Sequence, residues 1–143
     1  MPRVDFYILP DQLHASLQLF ACRLAEKAWQ QGNRILIQTA SMDESQRMDD
    51  LLWTFSDGSF IPHALGGDED ADEHPIVISH DSKNATDFQL LINLSNESAT
   101  QTSIPRVAEI VNQEPQRKQM GRDHFKLYRE QGFELHHHEI KSI

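Results

Sequence analysis

The chain opens with an apolar run at residues 4–9 that Pro10 closes, the pattern of a short buried strand. The next apolar positions recur at helical spacing, with Leu13, Leu17, Phe20, Leu24 and Ala28 on one stripe. Asp11 is placed to cap that helix and Gly32 to stop it. Residues 34–39, Arg-Ile-Leu-Ile-Gln-Thr, give a second strand, so this segment reads as a βαβ unit with parallel strands.

Ser41 and Glu44 form a capping box for a second helix, in which Met48, Leu51, Leu52 and Phe55 share a face. Trp53 is displaced about 140° from Met48 and points away from that face. Such a Trp is either covered by a second layer of the same fold or kept for a partner. Residues 56–75 read as irregular, and 68–73 hold five acids in six positions that should stay solvated. Residues 75–79, 88–94 and 107–112 are strand candidates, with a polar connection at 96–102. A long helix follows at 115–130, Gly132 ends it, and 133–140 adds a short edge strand. The expected architecture is one α/β domain over residues 1–143. It has three layers, a mostly parallel open sheet with helices on both faces.

Composition narrows the class. At 143 residues and 38% hydrophobic the chain can bury a proper core. No run approaches the ~20 apolar residues that span a bilayer, and the charged N-terminal run is no signal peptide. The single cysteine, Cys22, fits a reducing compartment, so a cytoplasmic protein away from membranes is expected. Net charge −9 argues against a surface that tracks nucleic-acid phosphates, so any work near DNA is expected to be indirect.

One stretch breaks the acidic balance. Residues 117–129 carry five Lys/Arg against one Asp, net +4, which leaves −13 for the rest of a chain totalling −9. On a helix Lys118, Arg122, Phe125, Lys126 and Arg129 fall on one stripe, while Met120, His124, Leu127 and Tyr128 form the expected core face. A charged stripe is often only a solvated face. This one is nearly all of one sign and holds an aromatic, which suits an acidic ligand with an apolar end.

Catalytic signatures are missing from the sequence. The turns after the first two strands, Pro10-Asp11-Gln12-Leu13 and Thr39-Ala40-Ser41-Met42, lack the glycines that bring backbone N–H groups to a phosphate. Gly66-Gly67 leads into the acids of 68–73, which repel one. A Rossmann-like sheet without a nucleotide-binding loop is therefore expected, and no cofactor. Three consecutive histidines, 136–138, alternate sides in a strand, so at most two reach one ion and no metal site is expected. Cys22 lies mid-helix without a catalytic partner pattern.

Laid out in order, these residues resemble the chi subunit family of bacterial DNA polymerase III, a clamp-loader accessory protein. The resemblance is carried by Phe6-Tyr7-Ile8-Leu9, Cys22, and Gly32-Asn33-Arg34-Ile35-Leu36-Ile37. Its more specific pieces are Leu52-Trp53, Ser59-Phe60-Ile61-Pro62-His63, Arg122, Tyr128-Arg129 and Gly132-Phe133. It implies a non-enzymatic bridge between the psi subunit and the acidic, Phe-ending C-terminal tail of single-stranded DNA-binding protein. The implied tail site is Lys118, Arg122, Phe125, Lys126 and Phe133, with Phe125 where the family commonly has tyrosine, and the charged stripe adds Arg129 to it. The implied psi site is Trp53, Phe60, Pro62 and His63, a patch for which a DNA helicase could also compete. Two alternatives stand beside this reading: a nucleotide- or small-molecule-binding enzyme on a Rossmann-like fold, and a direct single-strand binder using residues 117–129.

Overall fold

Short strands that are apolar on both sides can only be buried in the middle of a layered fold, and that is where these lie. The computed structural model describes residues 2–56, 61–81 and 87–141. In chain order the strands are β1 (Arg3–Ile8), β2 (Ile35–Gln38), β3 (His63–Leu65), β4 (Ile76–Ser79), β5 (Leu90–Asn93), β6 (Arg106–Val111) and β7 (Glu134–Glu139). The helices are α1 (His14–Gln30), α2 (Met42–Thr54) and α3 (Pro115–Glu130), with a 3-10 turn at Ala71–Glu73. The seven strands pair in the order β3-β4-β2-β5-β6-β1-β7, and every pairing is parallel.

Alternation along the strands sorts the core into two halves. Ile35, Ile37, Ile76, Ile78, Leu90, Ile92, Ala108 and Ile110 face α1 and α2, where Leu17, Ala21, Cys22, Met48 and Leu52 meet them. Val4, Phe6, Leu36, Val77, Leu91 and Val107 face the opposite side, against Tyr128 of α3. Helices thus cover both faces of a Rossmann-like α/β sheet.

The helix ends follow their sequence signals, with one change. Ser41 Oγ accepts from Glu44 N–H as a cap should, and Gly32 and Gly132 end α1 and α3 with φ of +88° and +83°. Asp11 does not occupy the cap position of α1, which is Leu13. It sits two residues earlier, where Oδ1 accepts from Leu13 N–H and Oδ2 from the Ser16 hydroxyl. The segment expected to be irregular contains β3, three residues long at the sheet edge. The acids of 68–70 are exposed as expected.

The core face of α3 also departs from the expected one. His124 and Tyr128 are buried, but Leu127 is 43% exposed, and Arg117 and Gly121 take the remaining inward positions. The cause lies beneath the helix, where Glu109 of β6 is a buried carboxylate. It accepts from Asn93 Nδ2 at 2.7 Å, the Tyr128 hydroxyl at 2.6 Å and His124 Nδ1 at 3.0 Å. A polar anchor selects polar partners above it. Arg117 reaches over the same strand ends, donating to the carbonyls of Ile110, Asn93 and Ser95.

Candidate functional site

Helix α3 begins where β6 ends, with Glu114 capping it by accepting from Gln116 and Arg117 N–H groups and Pro115 in its first turn. Gly121 lets it sit close to the sheet, because a β-carbon there would lie 2.7 Å from Val111 Cγ1. That close seat fixes the outer stripe above the ends of β1 and β7. Between helix and strands lies a cavity of about 440 Å³. Its floor is apolar, made by Phe6, Ile8, Val111 and Gly121, and Lys118, Arg122, Lys126 and Arg129 stand around it.

Phe125 links floor and rim. It is half-buried, with its ring 5.6 Å from Phe6 and stacked at 5.5 Å on His137 of β7, and Arg129 lies 5.9 Å above it. Among the described residues none of the four rim cations is ion-paired, and Lys118 spends one donor on Gln113 at 3.2 Å. Their charge is therefore directed outward over an apolar hollow. Five of the six expected tail-site residues meet here. Phe133 does not line the cavity: it follows the turn that ends α3 and packs on Tyr128 at 5.1 Å, partly buried against the core.

On the opposite face of the sheet, at its far end, Trp53 is 50% exposed. Its ring lies 4.8 Å from that of His63, whose nitrogens are held by the carbonyls of Ile61 and Asp49. The carboxyl of Asp49 is raised above the usual carboxylate range, because burial there outweighs the nearby His63. Pro62, next to His63 in the chain, is half-buried, while the His63 side chain is buried against the Trp53 ring, so of the expected psi-side residues Trp53 is the exposed one and His63 supports it from beneath. Phe60 lies outside the described residues.

Sequence reasoning missed the floor of the cavity. Phe6 and Ile8 alternate on β1, and only the pairing of β1 between β6 and β7 brings them beneath α3. A mid-helix glycine, Gly121, was the one available signal of a close approach. Cys22 is fully buried, and burial, then the charge of Glu26, pushes its thiol up to about 12, so no thiolate forms near neutrality. Among the described residues no three His, Cys, Asp or Glu side chains gather as metal ligands, and no helix is long and apolar enough to cross a membrane. Just before α1 the Asp11 carboxylate accepts from Leu13 N–H, which puts a negative charge beside that helix end.

The family described as "DNA polymerase III chi subunit, HolC" matches residues 1–136. The chain belongs to the DNA polymerase III chi subunit family. A chi subunit from Pseudomonas aeruginosa is 40% identical over 144 residues, covering all of both chains. One from Escherichia coli is 32% identical, covering 94% of this chain and 96% of the relative, and one from Haemophilus influenzae is 32% identical, covering 92% of each. Among solved structures, T4 UvsW matches with a TM-score of 0.68 at 10% identity. That match covers 96% of this chain and 41% of the T4 protein, and it is a likeness of fold. Membership places this chi-family chain in DNA replication as a polymerase III subunit, and directs attention to surfaces that hold partners.

Proposed function

We propose that this chain is a non-catalytic replisome adaptor whose cavity between α3 and β1/β7 takes the acidic C-terminal tail of single-stranded DNA-binding protein. The observation that carries the reading is the apolar hollow ringed by four cations that have no ion pair among the described residues, in a protein of net charge −9. A terminal Phe ring fits the floor of Phe6, Ile8 and Val111, while Arg122 can fork onto its carboxylate. Upstream acids then lie along Lys118, Lys126 and Arg129. A few charge-assisted bonds at ~1.5–3 kcal/mol and one buried ring at ~1.5–3 kcal/mol must exceed an association cost of ~4–15 kcal/mol. Affinity no tighter than about micromolar at low salt is expected, weakening as salt screens the rim. Many tails on one coated strand raise the effective concentration enough for such a contact to serve.

The test is a titration of a fluorescent peptide, acidic and ending in Phe, against wild type and Arg122→Glu. The variant is expected to bind about 100-fold more weakly, since a charge-assisted donor is replaced by a like charge. Wild type that ignores the peptide at low salt would overturn the reading. Binding to a bare oligonucleotide instead would favour the direct single-strand binder.

The second surface, exposed Trp53 and half-buried Pro62 with His63 buried against the Trp53 ring, is the proposed seat of the psi subunit and of any helicase that competes for it. A half-exposed Trp steadied by a neighbouring ring has the character of a buried interface anchor. Trp53→Ala is expected to weaken psi binding by about 2 kcal/mol or more, with little salt dependence, and to leave the peptide titration unchanged. Equal loss at both surfaces would show that the substitution unfolds the protein rather than removing an anchor.

A further inference from the structure

His136, His137 and His138 stand side by side in β7, and the pleat sends them to different faces. His136 Nε2 lies 2.7 Å from Glu134 Oε2, and His138 Nε2 lies 2.8 Å from Asp5 Oδ1. The Asp5 carboxylate is buried, which alone would raise it, yet bonds from Arg3, His138 and Arg106 hold it below the usual range. These two imidazoles are already committed to carboxylates of their own chain.

His137 is placed differently. It pairs in register with Phe6, faces α3, is exposed, and lies nearly parallel to Phe125 at an interplanar angle of 12°. Among the described residues neither of its nitrogens has a hydrogen-bond or ion-pair partner. It lines the cavity opposite the helix. The charged groups lining the cavity with it are Lys118, Arg122, Lys126 and Arg129 from α3, Glu139 lies two residues along its own strand, and β1 contributes Phe6 and Ile8.

We propose that His137 binds the carboxylates of the acidic peptide from the strand side of the cavity, extending the cationic rim to β7 and making peptide affinity rise as pH falls. This rests on the tail-binding reading above. Imidazole in general gains its charge just below neutral pH, whereas peptide Asp and C-terminal carboxyls stay ionised down to about pH 4–5. Carboxylates held against the ring favour its protonated form, so binding and proton uptake are linked. The stack on Phe125 holds the imidazole in place at little further entropic cost.

The peptide titration is repeated at about pH 8 and about pH 5.8, at fixed low ionic strength, with wild type, His137→Gln, His137→Arg and His136→Gln. Wild type and His136→Gln are expected to bind about two- to fivefold more tightly at the lower pH, the range of one exposed ion pair. His137→Gln should lose that gain, and His137→Arg should show the tighter affinity at both values. A pH gain that persists in His137→Gln, or its absence from wild type that binds well at about pH 8, overturns the role of His137 and leaves the tail site standing. Failure of wild type to bind at either pH removes the tail reading itself.

Discussion

Replacing Glu109 with alanine is expected to cost roughly 3–5 kcal/mol of folding stability, read from urea unfolding. The carboxylate sits under α3 with donors from Asn93, Tyr128 and His124, all within 3.0 Å. Removing it takes a shared acceptor from a buried amide, a hydroxyl and an imidazole at once, and of these the Asn93 amide keeps a second acceptor in the Glu97 carbonyl. His124 makes the diagnosis specific. Burial opposes its charge, but the bond to Glu109 and that group's charge, with the Asn96 carbonyl, outweigh it, so its proton is held above the usual imidazole range. Both its nitrogens meet groups that only accept, so the ring is satisfied on both sides when protonated. A raised folded-state value means the pair contributes fully below about pH 6.5, where the unfolded imidazole titrates, and less as pH rises through the folded value. The destabilisation by Glu109→Ala should therefore be largest on the acid side. A loss below about 1 kcal/mol that is flat in pH would mean the network does not anchor α3.

Gly121→Val is expected to cost about 2–3 kcal/mol, despite a small gain in helix propensity. The added β-carbon alone would lie 2.7 Å from Val111 Cγ1, and Val111 is β-branched and cannot swing away. The helix must lift, and since Gly121 and Val111 are both cavity floor, peptide affinity should fall together with stability. Val111→Ala in the same chain should restore part of both, with a coupling of about 1 kcal/mol or more. Additive effects of the two substitutions would show that helix and strand are not in contact there.

The elements were legible where one cause dominates. Unbroken apolar runs gave the buried strands, helical spacing gave α1 and α3, and the capping Ser41 and stopping Gly32 and Gly132 marked ends that backbone chemistry enforces. Legibility failed where two elements decide together. Arg117 counts as surface charge in the sequence, yet it is buried because strand carbonyls await it. Leu127 counts as core in the helical pattern, yet Glu109 turns the helix to present polar side chains inward. β3, at three residues, is too short to carry a pattern. The rim of the candidate site was readable because it lies on one helix. Its floor was not, because Phe6 and Val111 are far apart in the chain and meet through sheet order.

That order also sets a timetable. β1, the first of the seven described strands in chain order, lies between β6 and β7, the last two of them, and its register is completed only by residues 106–139. While the chain emerges from the ribosome, β1 waits unpaired as the middle strands are made, a long-range closure of the kind that folds slowly and leaves apolar edges open meanwhile. The cavity is assembled from β1, α3 and β7, so it comes into being with the final closure and has no counterpart on a nascent or shortened chain.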